Sequence, residues 1–218
     1  MNKFFNIVLN FFFPSKCLGC GKENAILCPD CLTRIDYPTL LRSNNILAAT
    51  DYNDELAKKA IWLLKYRGIK QLAEPMAELI KQRLLPKVRP WLNAKVGPLF
   101  IPIPLSSKRL RERGFNQSEL IARYLTQRLN LDGQRFNLCT NVLYKKVHTE
   151  SQVLVKDREK RLNNIKNSFE VKNAGLIKDK NIILIDDVST TGATMAEAKK
   201  VLREAGAKSI MALVVARG

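Results

Sequence analysis

An α/β architecture is what this sequence predicts: a mostly parallel twisted sheet flanked by helices, with a small four-cysteine module ahead of it. Three observations carry the prediction. Ile182-Ile183-Leu184-Ile185 is a run of four apolar residues, the mark of a strand buried on both faces, and helix-spaced apolar residues follow closely. Upstream, short apolar stretches alternate with segments of helical period, as in βα units. Cys17, Cys20, Cys28 and Cys31 stand outside that alternation. The organisation reads as a helix and cysteine knuckle over residues 1–40 and an α/β domain over 41–218. A chain of 218 residues is long enough for one substantial core with a small appendage.

The chain opens on an apolar run, Met1 to Phe13, followed by Pro14. It has only Lys3 as a basic start and no small-residue cleavage site, and it is too short to span a bilayer. A short docking helix is expected, with contact to a membrane surface as the lesser alternative. Without a targeting or transmembrane segment, the expected compartment is the cytoplasm. The four cysteines then form two C-x-x-C pairs around a seven-residue connection. Each pair can present two thiolates to one tetrahedral ion, so structural zinc is the expected cofactor, held in a tight knuckle. Disulfides suit a cytoplasmic setting poorly. Cys139 is left over, an ordinary buried thiol.

From Asn45 the elements follow in order. Asn45–Tyr52 alternates like a strand, and Asp54 can cap a helix with Leu56, Ala57, Ala60, Ile61, Leu63 and Leu64 on one face, ending at Gly68. A second helix starts near Pro75, with Leu72, Met76, Leu79, Ile80 and Leu84 inward. Pro86–Pro98, with three prolines and Gly97, reads as a loop. Phe100–Pro104 is a short strand at an edge or facing a site. Asn116 with Glu119 can cap the helix bearing Leu120, Ile121, Tyr124, Leu125 and Leu129. Asn141–Tyr144 and Phe169–Val171 read as short strands around a long polar excursion, and Ser209–Val215 as the last strand.

Two constellations carry chemistry. In the first, Asp186 and Asp187 stand where the apolar strand ends, followed by Ser189, Thr190, Thr191, Gly192, Ala193 and Thr194 and a helix with Met195, Ala198, Val201, Leu202 and Ala205 inward. Amides and hydroxyls around a helix N-terminus suit a phosphate. Adjacent ionised carboxylates suit a diol, because they only accept hydrogen bonds. Together they describe a ribose 5-phosphate site at a strand's carboxyl end, where open α/β sheets bind ligands. The alternatives are an ordinary helix cap with solvated aspartates, or the acidic strand end of a receiver domain; the latter would open its domain, whereas here one helix and one strand remain. In the second, Lys108, Arg109, Arg111 and Arg113 follow another strand end. Arginine meets phosphate in a bidentate fork, so this loop could clamp pyrophosphate; a solvated basic turn is the alternative.

The segment from Ile182 to Thr194 closely resembles the phosphoribosyl pyrophosphate (PRPP) signature of type I phosphoribosyltransferases. Over nearly the whole chain the resemblance is to the ComF family, a cysteine zinc module fused to a phosphoribosyltransferase domain. The matching pieces are Pro14 with the four cysteines, Leu64-Lys-Tyr-Arg-Gly68, Pro102-Ile-Pro-Leu105 with Arg113-Gly-Phe-Asn-Gln117, Thr149-x-x-Gln152, Arg161-x-x-Asn164 with Phe169, and the Asp-Asp-Val-x-Thr-Thr-Gly-Ala-Thr loop. Lys145–His148 is less arginine-rich than the family pattern, and Val155 stands in place of a leucine. The resemblance implies that PRPP binds with magnesium, that Asp186 and Asp187 hold the ribose hydroxyls, and that Ser189–Thr194 holds the 5-phosphate. Lys108, Arg109 or Arg113 would meet the pyrophosphate, and the excursion carrying His148, the chain's one histidine, would cover the ligand.

A formal charge of +17 excludes indifference to polyanions. The resemblance implies a role in DNA uptake during natural transformation, with single-stranded DNA and competence-machinery proteins as partners. Candidate contacts to a single strand are Lys65, Tyr66, Arg67, Arg111, Phe115, Lys145 and Lys146, although Tyr66 and Phe115 could equally be core. Two functions stay open: a transferase with an unnamed acceptor, and a PRPP-sensing adaptor that binds single-stranded DNA without turnover.

Overall fold

The central sheet has six strands in the order β1-β2-β8-β7-β3-β4: β1 (Arg42–Ser43), β2 (Ile46–Asp51), β3 (Leu99–Pro102), β4 (Asn137–Leu138), β7 (Asn181–Ser189) and β8 (Ser209–Arg217). Only β1 runs antiparallel to its neighbour; every other pairing is parallel. β5 (Leu143–Lys145) and β6 (Phe169–Val171) form a separate antiparallel pair. The helices are α1 (Pro29–Arg34), α2 (Glu55–Arg67), α3 (Ala73–Leu92), α4 (Ser107–Arg113), α5 (Gln117–Leu131) and α6 (Ala193–Glu204). The computed structural model describes residues 16–38, 42–43, 46–93, 97–131, 136–146 and 167–218. The expectations for Met1–Phe13, Pro14, His148, Thr149, Gln152, Val155, Arg161 and Asn164 lie outside the described residues.

Alternation along the strands builds two layers. Leu47, Ala49, Phe100, Ile183, Ile185, Leu213 and Val215 face one side and pack with α2, α3 and α5. Ile46, Ala48, Ile101, Ile182, Leu184, Ala212 and Val214 face the other, against α6 and the β5–β6 pair. β3 and β7 are neighbours, yet the chain leaves β3 for α5 on the first face and leaves β7 for α6 on the second. That reversal opens a crevice beyond their carboxyl ends.

Most elements match expectation, and three corrections have clear causes. Pro86–Pro98 is not all loop: α3 runs on to Leu92 through Pro86 and Pro90. Ile80, Leu84, Val88 and Leu92 continue one buried stripe, while both prolines lie on the exposed face. There the carbonyls they leave without helical donors, at Gln82 and Pro86, can take water. The basic segment after β3 is the short helix α4, capped by Ser106, whose hydroxyl oxygen accepts from the Arg109 N–H at 3.4 Å. Asn116 does cap α5, accepting from the Ser118 N–H at 3.0 Å, but Glu119 turns to Arg123 at 2.8 Å and not back to the cap.

The cysteine module shares the first core layer: Cys17, Cys28, Cys31, Leu32 and Ile35 are buried with residues of α2 and α3. One side chain ties it to the sheet. Arg83, only 7% exposed, donates from Nη1 to the carbonyls of Asp36 (2.6 Å) and Ala49 (3.0 Å) and from Nη2 to that of Ile35. Its guanidinium carbon also lies 4.2 Å from the Tyr37 ring centroid. Arg83→Met keeps the stem but removes its donors from the Ile35 and Ala49 carbonyls, the Asp36 carbonyl keeping the Thr50 hydroxyl, at about 1–3 kcal/mol for each one left buried and unsatisfied. Urea unfolding should lose about 2 kcal/mol or more, with Arg83→Lys recovering only part. A stability within about 0.5 kcal/mol of wild type would show that the tie is dispensable.

Candidate functional site

β7 does not stop at its acids. It runs to Ser189, so Asp186 and Asp187 lie within its last four residues and point to opposite sides. Two hydrogen bonds converge on Asp186 Oδ1, from the Ser118 hydroxyl at 2.6 Å and from the Asp187 N–H at 2.9 Å. Ser118 is placed there by Asn116, which caps α5 and donates from Nδ2 to the Ile103 carbonyl at 3.0 Å. Burial first, and the Asp187 carboxylate next, push the Asp186 pKa up to about 7, against the pull of Ser118 and Lys65. Asp187 is 3% exposed and meets Lys65 Nζ through Oδ1 at 2.9 Å. Its Oδ2 is buried and accepts no hydrogen bond among the described residues.

The loop beyond the strand completes a pocket lined by Asp186, Val188, Ser189, Thr190, Thr191, Gly192, Ala193, Thr194 and Met195. Gly192 turns the chain into α6 at φ +77°, and a Cβ there would also lie 3.3 Å from Ile46. The Ala193 N–H donates to Thr191 Oγ1 at 3.3 Å, and the first residues of α6, Ala193, Thr194 and Met195, lie on the pocket wall. Seven of the expected residues thus share one pocket wall, while Asp187 turns toward Lys65.

The cations come from neighbouring elements. Lys108 and Arg109 are exposed on α4 and do not line the pocket. Arg113 donates to Gln117 Oε1 at 3.0 Å, and its guanidinium carbon lies 5.4 Å from the Tyr66 ring centroid. Lys145, at the end of β5, is held below its usual range by burial and by the charge of Arg109, with Asp186 opposing. Lys65, a single-strand candidate in the sequence, is instead paired with Asp187, a partner the sequence does not announce. Its Leu64-Lys-Tyr-Arg-Gly68 context reads as a helix end, and only the fold brings it to an acid 122 residues away.

The candidate metal centre is separate. The sulfurs of Cys17, Cys20, Cys28 and Cys31 all lie within 4.8 Å of one another. Cys20 and Cys28 Sγ are 3.6 Å apart, too far for a disulfide and close to the about 3.8 Å that a tetrahedron of 2.3 Å zinc–sulfur bonds requires. The Cys28 N–H donates to Cys17 Sγ at 3.3 Å. Burial raises the Cys17 pKa, but the N–H groups of Cys28, Cys20 and Gly19 outweigh it and bring the thiol down to about 6. Cys31, pushed up to about 12 by burial and the neighbouring sulfurs, would need a cation to ionise. A Cβ at Gly19 would come within 2.7 Å of Cys31 Sγ, so that turn admits only glycine. The donor set fits structural zinc.

The chain is similar to known proteins over most of its length. Residues 114–218 match the family model described as phosphoribosyl transferase domain. Competence protein ComFC of Bacillus subtilis (strain 168) is 32% identical over 199 residues, covering 87% of this chain and 72% of the relative. The DNA utilization protein YhgH of Salmonella typhimurium is 25% identical over 212 residues, covering 93% and 89%. Among solved structures, a hypoxanthine phosphoribosyltransferase from Staphylococcus aureus is similar with a TM-score of 0.38 at 15% identity, over 65% of this chain and 62% of that one. No helix among the described residues is long and apolar enough to cross a membrane.

Two outcomes follow from the site chemistry. Cys17→Ser/Cys20→Ser should lose bound zinc by elemental analysis and melt at lower temperature; unchanged metal content would remove the four-sulfur assignment. The folded protein binds the Asp186 proton more tightly than the unfolded chain does. Its stabilising contribution is therefore complete below about pH 4 and is lost as pH rises through about 7. Asp186→Asn should flatten the melting temperature over that window, and a slope equal to wild type would show that Asp186 titrates normally.

Proposed function

Since this chain belongs to the ComF family, we propose that its phosphoribosyltransferase domain binds the ribose 5-phosphate end of PRPP in the pocket at the end of β7. The carrying observation is one wall that joins a carboxylate at a strand's end to the threonine-lined N-terminus of α6. The amides and hydroxyls of Ser189–Thr194 suit the phosphate, and Asp186 and Asp187 suit the ribose diol. Asp187 Oδ2, off that wall, is buried and without a donor among the described residues, so a sugar hydroxyl reaching it from the Lys65 side would repay its desolvation. Lys108, Arg109 and Arg113 on α4, with Lys145, form the cationic side for the pyrophosphate. The paired carboxylates and ligand phosphates are the oxygen donors Mg²⁺ takes, and when bound it would neutralise the leaving group.

In a transfer reaction these residues would hold the ribose while its C1–pyrophosphate bond breaks and a nitrogen nucleophile takes the position, with charge building on the departing oxygens beside the cations. The biological setting we propose is DNA uptake, in the cytoplasm, with single-stranded DNA and competence-machinery proteins as partners. A second reading, PRPP sensing without turnover, is favoured by Lys65: the sugar must share or displace a cation already on Asp187, the behaviour of a switch.

Titration calorimetry with PRPP and Mg²⁺ tests the site. Asp187→Asn should weaken binding about ten- to hundredfold, as expected for hydrogen bonds to a charged acceptor. Undiminished affinity in the variant would remove the assignment. Release of pyrophosphate on adding nitrogen acceptors would favour transfer over sensing.

A further inference from the structure

α2 carries two large rings on its outer face. Trp62 is 44% exposed and Tyr66 63%, whereas Ile61 and Leu64 between and beside them are fully buried. One turn apart, the rings have centroids separated by 5.9 Å at an angle of 44°, so their faces are not closed against each other. Each ring has its own guanidinium: Arg67 lies 5.6 Å from the Trp62 centroid and Arg113, reaching over from α4, 5.4 Å from that of Tyr66. Rings of this size repay burial more than any other side chains, and a surface that leaves two of them open together marks a contact.

Their position gives the contact a meaning. Lys65, between the two rings in sequence, turns inward to Asp187 at 2.9 Å. Arg113 is joined to Gln117 at 3.0 Å, the neighbour of Ser118, which bonds Asp186 at 2.6 Å. The rings therefore border the acidic pair from the same side as α4.

We propose that Trp62 and Tyr66 form a stacking platform for the bases of single-stranded nucleic acid, with Arg67 meeting its phosphates. The proposal rests on the single-strand reading above and adds where the strand lies. Flat rings with guanidinium groups at their faces accept any base, since every base has a π-face. Arg67 and Arg113 are the cations at the rings, Lys65 being paired with Asp187, and a chain of net charge +17 repels a second copy of itself while attracting a phosphate backbone. Duplex bases are already stacked and paired, so they cannot lie on these rings.

Fluorescence anisotropy with a labelled oligothymidine tests this on the full zinc-loaded chain. Trp62→Ala/Tyr66→Ala should weaken single-strand binding at least about tenfold, while Trp62→Phe/Tyr66→Phe stays within about threefold of wild type. Arg67→Gln should reduce the slope of log K against log salt by about 0.7, one phosphate contact. PRPP calorimetry on Trp62→Ala alone, which leaves Tyr66 and Arg113 in place, should be unchanged. If the oligonucleotide result holds while wild type fails to bind PRPP, the ribose-phosphate reading falls and the platform stands. Unchanged oligonucleotide affinity in the alanine variant, at wild-type melting temperature and zinc content, overturns the platform. So does a wild-type protein that binds no single strand, or binds duplex equally well.

Discussion

Two carboxylates side by side at the end of a buried strand are an electrostatic problem that the surrounding elements are arranged to solve. In a medium of low dielectric neither ion is tolerable without compensation, and each makes the other worse. The two acids are answered differently. Asp187 receives a cation, Lys65, from the last turn of α2. Asp186 receives neutral donors, the Ser118 hydroxyl and a backbone N–H, and so holds its proton to about pH 7. With Lys65 set against Asp187 and a proton retained on Asp186, the pair carries little net charge near neutrality. The placements of α2 and α5 at the crevice follow from these demands as much as from hydrophobic packing.

Arg83 plays the corresponding part for the cysteine module. A knuckle of this size buries too little apolar surface to fix its own orientation. Its trailing segment, Ile35 and Asp36, offers carbonyls to the buried fork of a helix that also packs on the sheet. Thr50 adds its hydroxyl to the Asp36 carbonyl at 2.8 Å, and Asp54 accepts from the Asp36 N–H at 2.9 Å. Asp54 also caps α2 through the Ala57 N–H at 2.7 Å. One aspartate thus sets both the start of α2 and the end of the module.

These connections explain what was legible in the sequence. β7, its acidic pair, α6 and the paired cysteines are local patterns, each set by contiguous residues, and all four are read directly. α2 and α5 are equally plain, because caps and apolar stripes agree. The continuation of α3 past Pro86 was hidden: proline predicts a break, and only the tertiary contacts of Val88 and Leu92 outweigh it. α4 was hidden too, since Ser107–Arg113 buries no side chain and so shows no apolar period. Phe115, named among the surface candidates, is buried, while Trp62, absent from them, is open. Lys65 shows the limit most clearly. Its partner is set by where the last turn of α2 comes to lie beside the end of β7, which no window of sequence contains.

The same helix links the two ends of the molecule. At its first turn α2 abuts the cysteine module: a Cβ on Gly19 would lie 3.2 Å from Leu56 as well as against Cys31. At its last turn it delivers Lys65 to Asp187 and presents Trp62 and Tyr66 beside the crevice. A helix of 13 residues is about 20 Å long, and packed side chains along it transmit displacement with little loss. Moving its N-terminal end by an ångström would shift or tilt the ammonium that neutralises Asp187. The four sulfurs, within 4.8 Å of one another, adjoin the first turn of that helix through Gly19 and Leu56, so the cysteine cluster and the cation on Asp187 are attached to opposite ends of one packed element.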